Sequence, residues 1–141
     1  MKYNFKYSTK LRVRYGETDQ MGYCYYGNYA QYFEVGRVEA LRSLGISYKE
    51  LEDKGVMLPV SQYSVNYKLP ALYDEELEII TVISEVRGPR ITFDYKILNA
   101  TGKTVAEAST TLVFVLKETM RPTAPPDFFM ELIRKFEDSA E

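Results

Sequence analysis

Asn28-Tyr29-Ala30-Gln31-Tyr32-Phe33-Glu34-Val35-Gly36-Arg37-Val38-Glu39-Ala40-Leu41-Arg42-Ser43-Leu44-Gly45 reads as one amphipathic helix. Asn28 is suited to cap its first turn, and Gly45 stands where a left-handed residue commonly ends a helix near Leu44. On a helical wheel Tyr29, Phe33, Gly36, Ala40 and Leu44 fall together, and Ala30 and Leu41 widen the stripe. Gly36 in that stripe implies close backbone packing. A face of this kind has to be covered, and the flanking sequence supplies a cover. Tyr7 to Tyr15 alternates Leu11, Val13 and Tyr15 with Lys10, Arg12 and Arg14, the period of a strand with one solvated face. A polar, glycine-containing stretch, 16–27, separates that strand from the helix. Ser47 with Glu50 three residues later has the capping-box spacing for a short helix to Lys54. Strand patterns follow at 57–69, 76–86, 90–98 and 103–117, with a turn at Asn99-Ala100-Thr101-Gly102. After Pro125-Pro126, the spacing of Phe128, Phe129, Leu132, Ile133 and Phe136 predicts a terminal helix. Strands joined by tight turns, with a long helix near the start, make an α+β domain: an antiparallel sheet with the helix on one face.

A chain of 141 residues suits one domain, taken as residues 1–141, with a core large enough to need no disulfide or structural metal. The net charge of −2 gives no bulk attraction for nucleic acid or anionic lipid. No apolar run approaches the roughly 20 residues of a membrane span, and Met1-Lys2-Tyr3-Asn4-Phe5-Lys6 lacks an apolar signal core, so a cytoplasmic location is expected. The chain has no histidine and one cysteine, Cys24. Serine–histidine and cysteine–histidine nucleophiles and imidazole acids or bases are thereby excluded, and zinc would need an unusual oxygen-rich site. No metal is expected; an enzyme here has to work with carboxylates, tyrosines and backbone amides.

Arg14-Tyr15-Gly16-Glu17-Thr18-Asp19-Gln20-Met21-Gly22, then Tyr25-Tyr26-Gly27-Asn28-Tyr29 and the helix bearing Tyr32, Phe33, Glu34 and Arg37, resemble the hotdog-fold acyl-CoA thioesterases of the 4-hydroxybenzoyl-CoA thioesterase and YbgC-like type. Leu58-Pro59-Val60 and Tyr67-Lys68-Leu69-Pro70-Ala71-Leu72-Tyr73-Asp74 are similar to two further landmarks, and the likeness runs from about Tyr7 to Phe129. It implies a hotdog fold, a curved antiparallel sheet wrapped around a long central helix. It also implies hydrolysis of acyl-CoA without a cofactor beyond the coenzyme A of the substrate, and a homodimer or homotetramer with sites between subunits. The catalytic carboxylate falls on Asp19, as general base or nucleophile. The carbonyl-polarising amide falls near Tyr26 and Gly27, where the free N–H groups and positive end of a helix favour a developing oxyanion. YbgC-like members usually carry histidine where this chain has Tyr26, so their substrate preference does not carry over; the bacterial 4-hydroxybenzoyl-CoA thioesterase has tyrosine, as here.

Each candidate has a plainer role beside the functional one. Asp19 could simply close an Asx turn before Gly22. Glu17 reads as a solvated or orienting residue. Tyr26 either lines the acyl pocket or fills an interface. Cys24, with no histidine to activate it, reads as a small buried side chain. Asn28 is foremost a cap and secondarily a substrate contact. Arg37, at the edge of the stripe, is expected to pair with Glu34 one turn earlier. For the phosphates of coenzyme A the basic turn Arg87-Gly88-Pro89-Arg90 is the leading candidate, with Lys68 second. Tyr63, Val65, Tyr67 and Phe93 are candidate walls for the pantetheine channel. An acyl-carrier-protein thioesterase, or a hotdog module that binds an acyl ligand without catalysis, are the alternatives; a dehydratase would need the missing imidazole.

Overall fold

A computed structural model describes residues 1–138 of the chain. The elements in order are β1 (Lys2–Arg12), α1 (Tyr29–Ser43), α2 (Tyr48–Asp53), β2 (Val56–Met57), β3 (Val60–Tyr67), β4 (Glu76–Arg87), β5 (Arg90–Leu98), β6 (Thr104–Val113), β7 (Val115–Leu116) and α3 (Asp127–Ile133). Five strands form one curved antiparallel sheet in the order β1-β4-β5-β6-β3, and α1 packs against β1, β4 and β5. This is the expected α+β hotdog arrangement.

The sheet alternates as a half-buried sheet should. Leu77, Ile79, Thr81 and Ile83 of β4 and Ile91, Phe93, Tyr95 and Ile97 of β5 point inward and are buried. Phe33 of α1 meets the Tyr95 ring with centroids 4.8 Å apart. Gly36 lets the helix backbone approach the sheet: a Cβ there would lie 2.5 Å from Thr81 Oγ1 and 2.8 Å from Ile79 Cγ2. The Thr81 hydroxyl is a buried side-chain oxygen with no hydrogen-bond partner among the described residues. Ser47 Oγ accepts the Glu50 N–H at 3.1 Å, as its spacing predicts, and Gly45 takes φ +90°.

Several boundaries differ from expectation, each for a local reason. β1 begins at Lys2 because Tyr3 and Phe5 already follow the inward period, and Phe5 stacks edge-on against Phe136 at 4.8 Å. It ends at Arg12, since Asp74 at φ +65° bends the partner chain and a single 3-10 turn, Tyr15–Glu17, follows. The expected strand 57–69 divides into β2 and β3 at Leu58-Pro59, where proline removes a ladder donor. The strand 103–117 divides at Phe114, whose N–H bonds to the Pro89 carbonyl instead of the ladder.

Two helix expectations are corrected. Ala30 is exposed, and Tyr32 and Arg37 take the buried positions on that face. Arg37 forms no pair with Glu34: its Nε donates to Tyr48 Oη at 2.9 Å and its Nη1 to Tyr95 Oη at 3.1 Å. Two phenol oxygens thus satisfy this buried guanidinium where a carboxylate was anticipated.

Candidate active site

The loop between β1 and α1 holds the candidate residues Asp19, Tyr26 and Gly27. Thr18 and Cys24 bridge as a minimal antiparallel pair, so residues 19–23 form a closed excursion. Inside it the Asp19 N–H donates to the Tyr23 carbonyl at 2.8 Å and the Gly22 N–H to the Asp19 carbonyl at 3.0 Å. Gly22 takes φ +83°, which favours glycine there. Asp19 Oδ1 accepts the Met21 N–H at 2.9 Å and the Tyr23 N–H at 3.4 Å, the anticipated Asx turn. That turn uses one carboxylate oxygen. Oδ2 has no hydrogen-bond partner among the described residues, so the turn that fixes the side chain leaves its second oxygen uncommitted.

The chain enters α1 through a 3-10 turn, Tyr26–Asn28. The Asn28 N–H donates to the Tyr25 carbonyl at 2.9 Å and the Tyr29 N–H to that of Tyr26, which leaves the Tyr26 and Gly27 amides ahead of the first acceptor in the turn. A Cβ on Gly27 would come within 2.6 Å of the Tyr25 ring, which lies over it. Asn28 does not cap α1: its own backbone is already helical and its Nδ2 turns back to donate to the Glu17 carbonyl at 2.8 Å. The donor is thus spent inside the protein.

Asp19, Tyr26 and Lys68 line one open cleft of about 300 Å³ with Met21, Tyr23 and Tyr67. Buried Tyr29 and Cys24 form its floor, and Tyr67 Oη donates to the Tyr26 carbonyl at 3.3 Å. Burial pushes the Tyr29 phenol and the Cys24 thiol above their ordinary values, and that of Tyr63 up to about 12. These groups stay protonated at neutral pH. Gly27, which is exposed, and Asn28 are next in the chain after Tyr26 and are not among the residues that line the cleft.

Arg87 and Arg90 are elsewhere. They line a depression of about 480 Å³ with Ser61, Gln62, Thr92 and Thr111, and Arg87 Nη2 pairs with Glu85 at 3.4 Å. Ser61 and Tyr67 sit near opposite ends of β3, so the two sites of one chain are about 20 Å apart at roughly 3.3 Å per residue. Phe93 is fully buried in the core and lines neither site, whereas Tyr63 and Tyr67 stay partly exposed on the edge strand.

Glu17 is buried, in place of the solvated position open to it from sequence. Its Oε1 accepts the Arg14 N–H and the Tyr32 hydroxyl, both at 2.8 Å, and its Oε2 accepts Arg14 Nη2 at 3.1 Å. Burial by itself would raise this carboxyl; the Arg14 amide, the Tyr32 hydroxyl and the guanidinium outweigh it and hold the group below its ordinary value. The available signal was the position of Tyr32 three residues after Tyr29 and four before Gly36, which puts it at the margin of the α1 stripe.

Residues 13–133 match the thioesterase-like superfamily. The chain is 37% identical over 113 residues to YneP of Bacillus subtilis (strain 168), covering 80% of this chain and 82% of that protein. It is 35% identical over 116 residues to the acyl-CoA thioester hydrolase YbgC of Escherichia coli O157:H7, covering 82% and 87%. The DHNA-CoA thioesterase structure from Staphylococcus aureus superposes with a TM-score of 0.88 at 33% identity, over 92% of this chain and 89% of that one. Fold, loop and likeness agree, and the chain belongs to the hotdog-fold thioesterases of the 4-hydroxybenzoyl-CoA thioesterase and YbgC-like family.

Proposed function

We propose that this protein hydrolyses acyl-CoA thioesters, with Asp19 as general base or nucleophile and the Tyr26 and Gly27 amides stabilising the oxyanion. The observation that carries the reading is the uncommitted Oδ2 of Asp19 in the same cleft as Tyr26, at the entry to α1. As general base Asp19 takes a proton from a water whose oxygen forms the C–O bond at the carbonyl; as nucleophile its Oδ2 forms that bond and gives an acyl-aspartyl anhydride, which water then hydrolyses. In both, the carbonyl electron pair moves to its oxygen beside the amides and returns as the C–S bond breaks. The products are the free acid and coenzyme A, whose sulfur takes up a proton. A panel of acyl-CoA esters followed by thiol release tests it; no turnover of any ester by folded protein would remove it.

A homodimer fits the sheet edges. β1 is edged with Lys2, Lys6, Lys10 and Arg12, charges that discourage pairing, whereas β3 (Val60–Tyr67) carries none and is largely exposed on both faces. Antiparallel pairing of β3 with a two-fold copy, centred near Ser64, sets the Gln62 end of one chain beside the Tyr67 end of the other. The Arg87 and Arg90 of one subunit then serve the cleft of its partner and hold coenzyme A phosphates there. Sedimentation should give a multiple of 16.4 kDa; an active monomer would exclude the shared arrangement.

Arg90→Ala is expected to raise KM for coenzyme A esters several-fold while kcat changes little, because the phosphates are bound equally in ground and transition states. Steady-state kinetics over a range of ester concentrations checks this; a fall in kcat at constant KM would place the phosphates elsewhere. Lys68, on the cleft itself, is the second candidate cation.

A further inference from the structure

The Tyr32 hydroxyl joins both feet of the Asp19 loop. It donates to Glu17 Oε1 at 2.8 Å, two residues before Asp19, and accepts the Cys24 Sγ–H at 3.4 Å, five residues after it. Cys24 is itself bridged to Thr18, so the loop is closed at its base and that base is fastened to the first turns of α1. The Glu17 main chain completes the attachment: its carbonyl accepts the Tyr25 N–H at 2.7 Å and Asn28 Nδ2 at 2.8 Å, the residues on either side of the Tyr26 and Gly27 amides.

A carboxylate in this position is expensive unless it is fully engaged. Arg14 does not account for it, since that side chain is 79% exposed and its ion pair is screened by solvent. Capping the Tyr15–Glu17 turn engages this carboxylate through the Arg14 N–H, and the turn itself is closed by the backbone. Neither explains the bond to a phenol fifteen residues onward in the buried face of α1. What the bond does is fix one distance, that between the segment holding the carboxylate and the turn holding the amides.

We propose that Glu17 and Tyr32 are a pair of positioning residues that set the separation of Asp19 from the Tyr26 and Gly27 amides. The pair touches no substrate and acts through Asp19, so this inference rests on the role proposed for Asp19 above. Reaction geometry of this kind is sensitive: a displacement near 1 Å can cost on the order of 100-fold in rate.

Both critical bonds of Glu17 are accepted by a single oxygen, Oε1, and this separates geometry from charge. Glutamine can place its amide oxygen there and keep both bonds; alanine keeps neither. Steady-state kinetics and thermal unfolding of the full chain, on one accepted acyl-CoA, form the test. Glu17→Ala should lower kcat about 30-fold and Tyr32→Phe about 10-fold, each with KM within about twofold. Glu17→Gln should remain within about threefold of the parent in kcat. A purely structural role would instead lower the unfolding temperature and leave kcat of the folded fraction intact.

Parental kcat in both Glu17→Ala and Tyr32→Phe would overturn the inference. So would a loss in Glu17→Gln equal to that in Glu17→Ala, because the charge would then be the operative feature. Should Glu17→Ala fail to fold, Tyr32→Phe and Glu17→Gln decide between them. Asp19→Ala run in parallel distinguishes the two levels: if it abolishes turnover while the pair variants keep theirs, only the positioning inference falls. If it leaves turnover intact, the role of Asp19 falls and this one with it.

Discussion

Asp19→Ala lowers kcat/KM by at least about 100-fold on any acyl-CoA the protein accepts, the order expected on removing a positioned base or nucleophile. Asp19→Asn is the sharper variant. Its side-chain oxygen can still accept the Met21 and Tyr23 amides, so the loop is retained while Oδ2 becomes an amide nitrogen that neither attacks nor takes a proton. Both variants should therefore unfold at temperatures close to the parent, with Asp19→Ala the lower because it leaves two amides without their acceptor. Substrate panels followed by thiol release, with thermal scans of the same samples, give both quantities. Turnover unchanged in a folded Asp19→Ala protein would show that another group does the work, and no histidine exists to do it.

Gly36→Val should cost at least about 3 kcal/mol of stability, at the upper end of what overpacking a core costs. The helix axis cannot retreat, because α1 is held on β1, β4 and β5 at once, and the atoms a new Cβ meets belong to the stiff, β-branched Thr81 and Ile79. The better helix propensity of a residue other than glycine recovers less than about 1 kcal/mol. In a chain of this length the unfolding midpoint should fall by roughly 10 °C. Thr81→Ala in the same background should recover part of that loss, since it removes the oxygen nearest the new side chain and, with it, a hydroxyl that has no partner. Equal midpoints for Gly36→Val and the parent would mean that the helix and sheet can separate without penalty.

The sequence reading was strongest where one physical rule acted without competition. The 3.6-residue period of α1 and the twofold period of β4, β5 and β6 each bury one side of an element, so element order and class followed from patterning. Gly36 and Gly45 were legible for the same reason, one by a packing constraint and one by a backbone conformation. Tyr3 and Phe5 continue the same alternation, but Lys2, Asn4 and Lys6 around them give the segment the composition of a solvated terminus.

The polar interior was less legible because it depends on partners distant in sequence. Arg37 finds Tyr48 and Tyr95, eleven and fifty-eight residues away, instead of the carboxylate one turn earlier. Asn28 finds the Glu17 carbonyl and gives up the cap its position suggests. Local propensity ranks the near partner first; in the folded chain the direction of a side chain and the competition for each donor determine the outcome. The separation of Arg87 and Arg90 from the Asp19 cleft is of the same kind, since it follows from the length of β3 and from no property of the basic turn itself.

The one sulfhydryl of the protein also bears on how its kinetics can be followed. Cys24 is buried, its S–H is engaged by the Tyr32 oxygen, and its acidity is suppressed, so it offers almost no thiolate to a reagent in solution. A colorimetric disulfide added to capture liberated coenzyme A therefore reports product and not the catalyst. The same reagent turns into a probe of loop opening: slow labelling at Cys24 in the absence of ester would count the excursions in which the anchored segment leaves the helix.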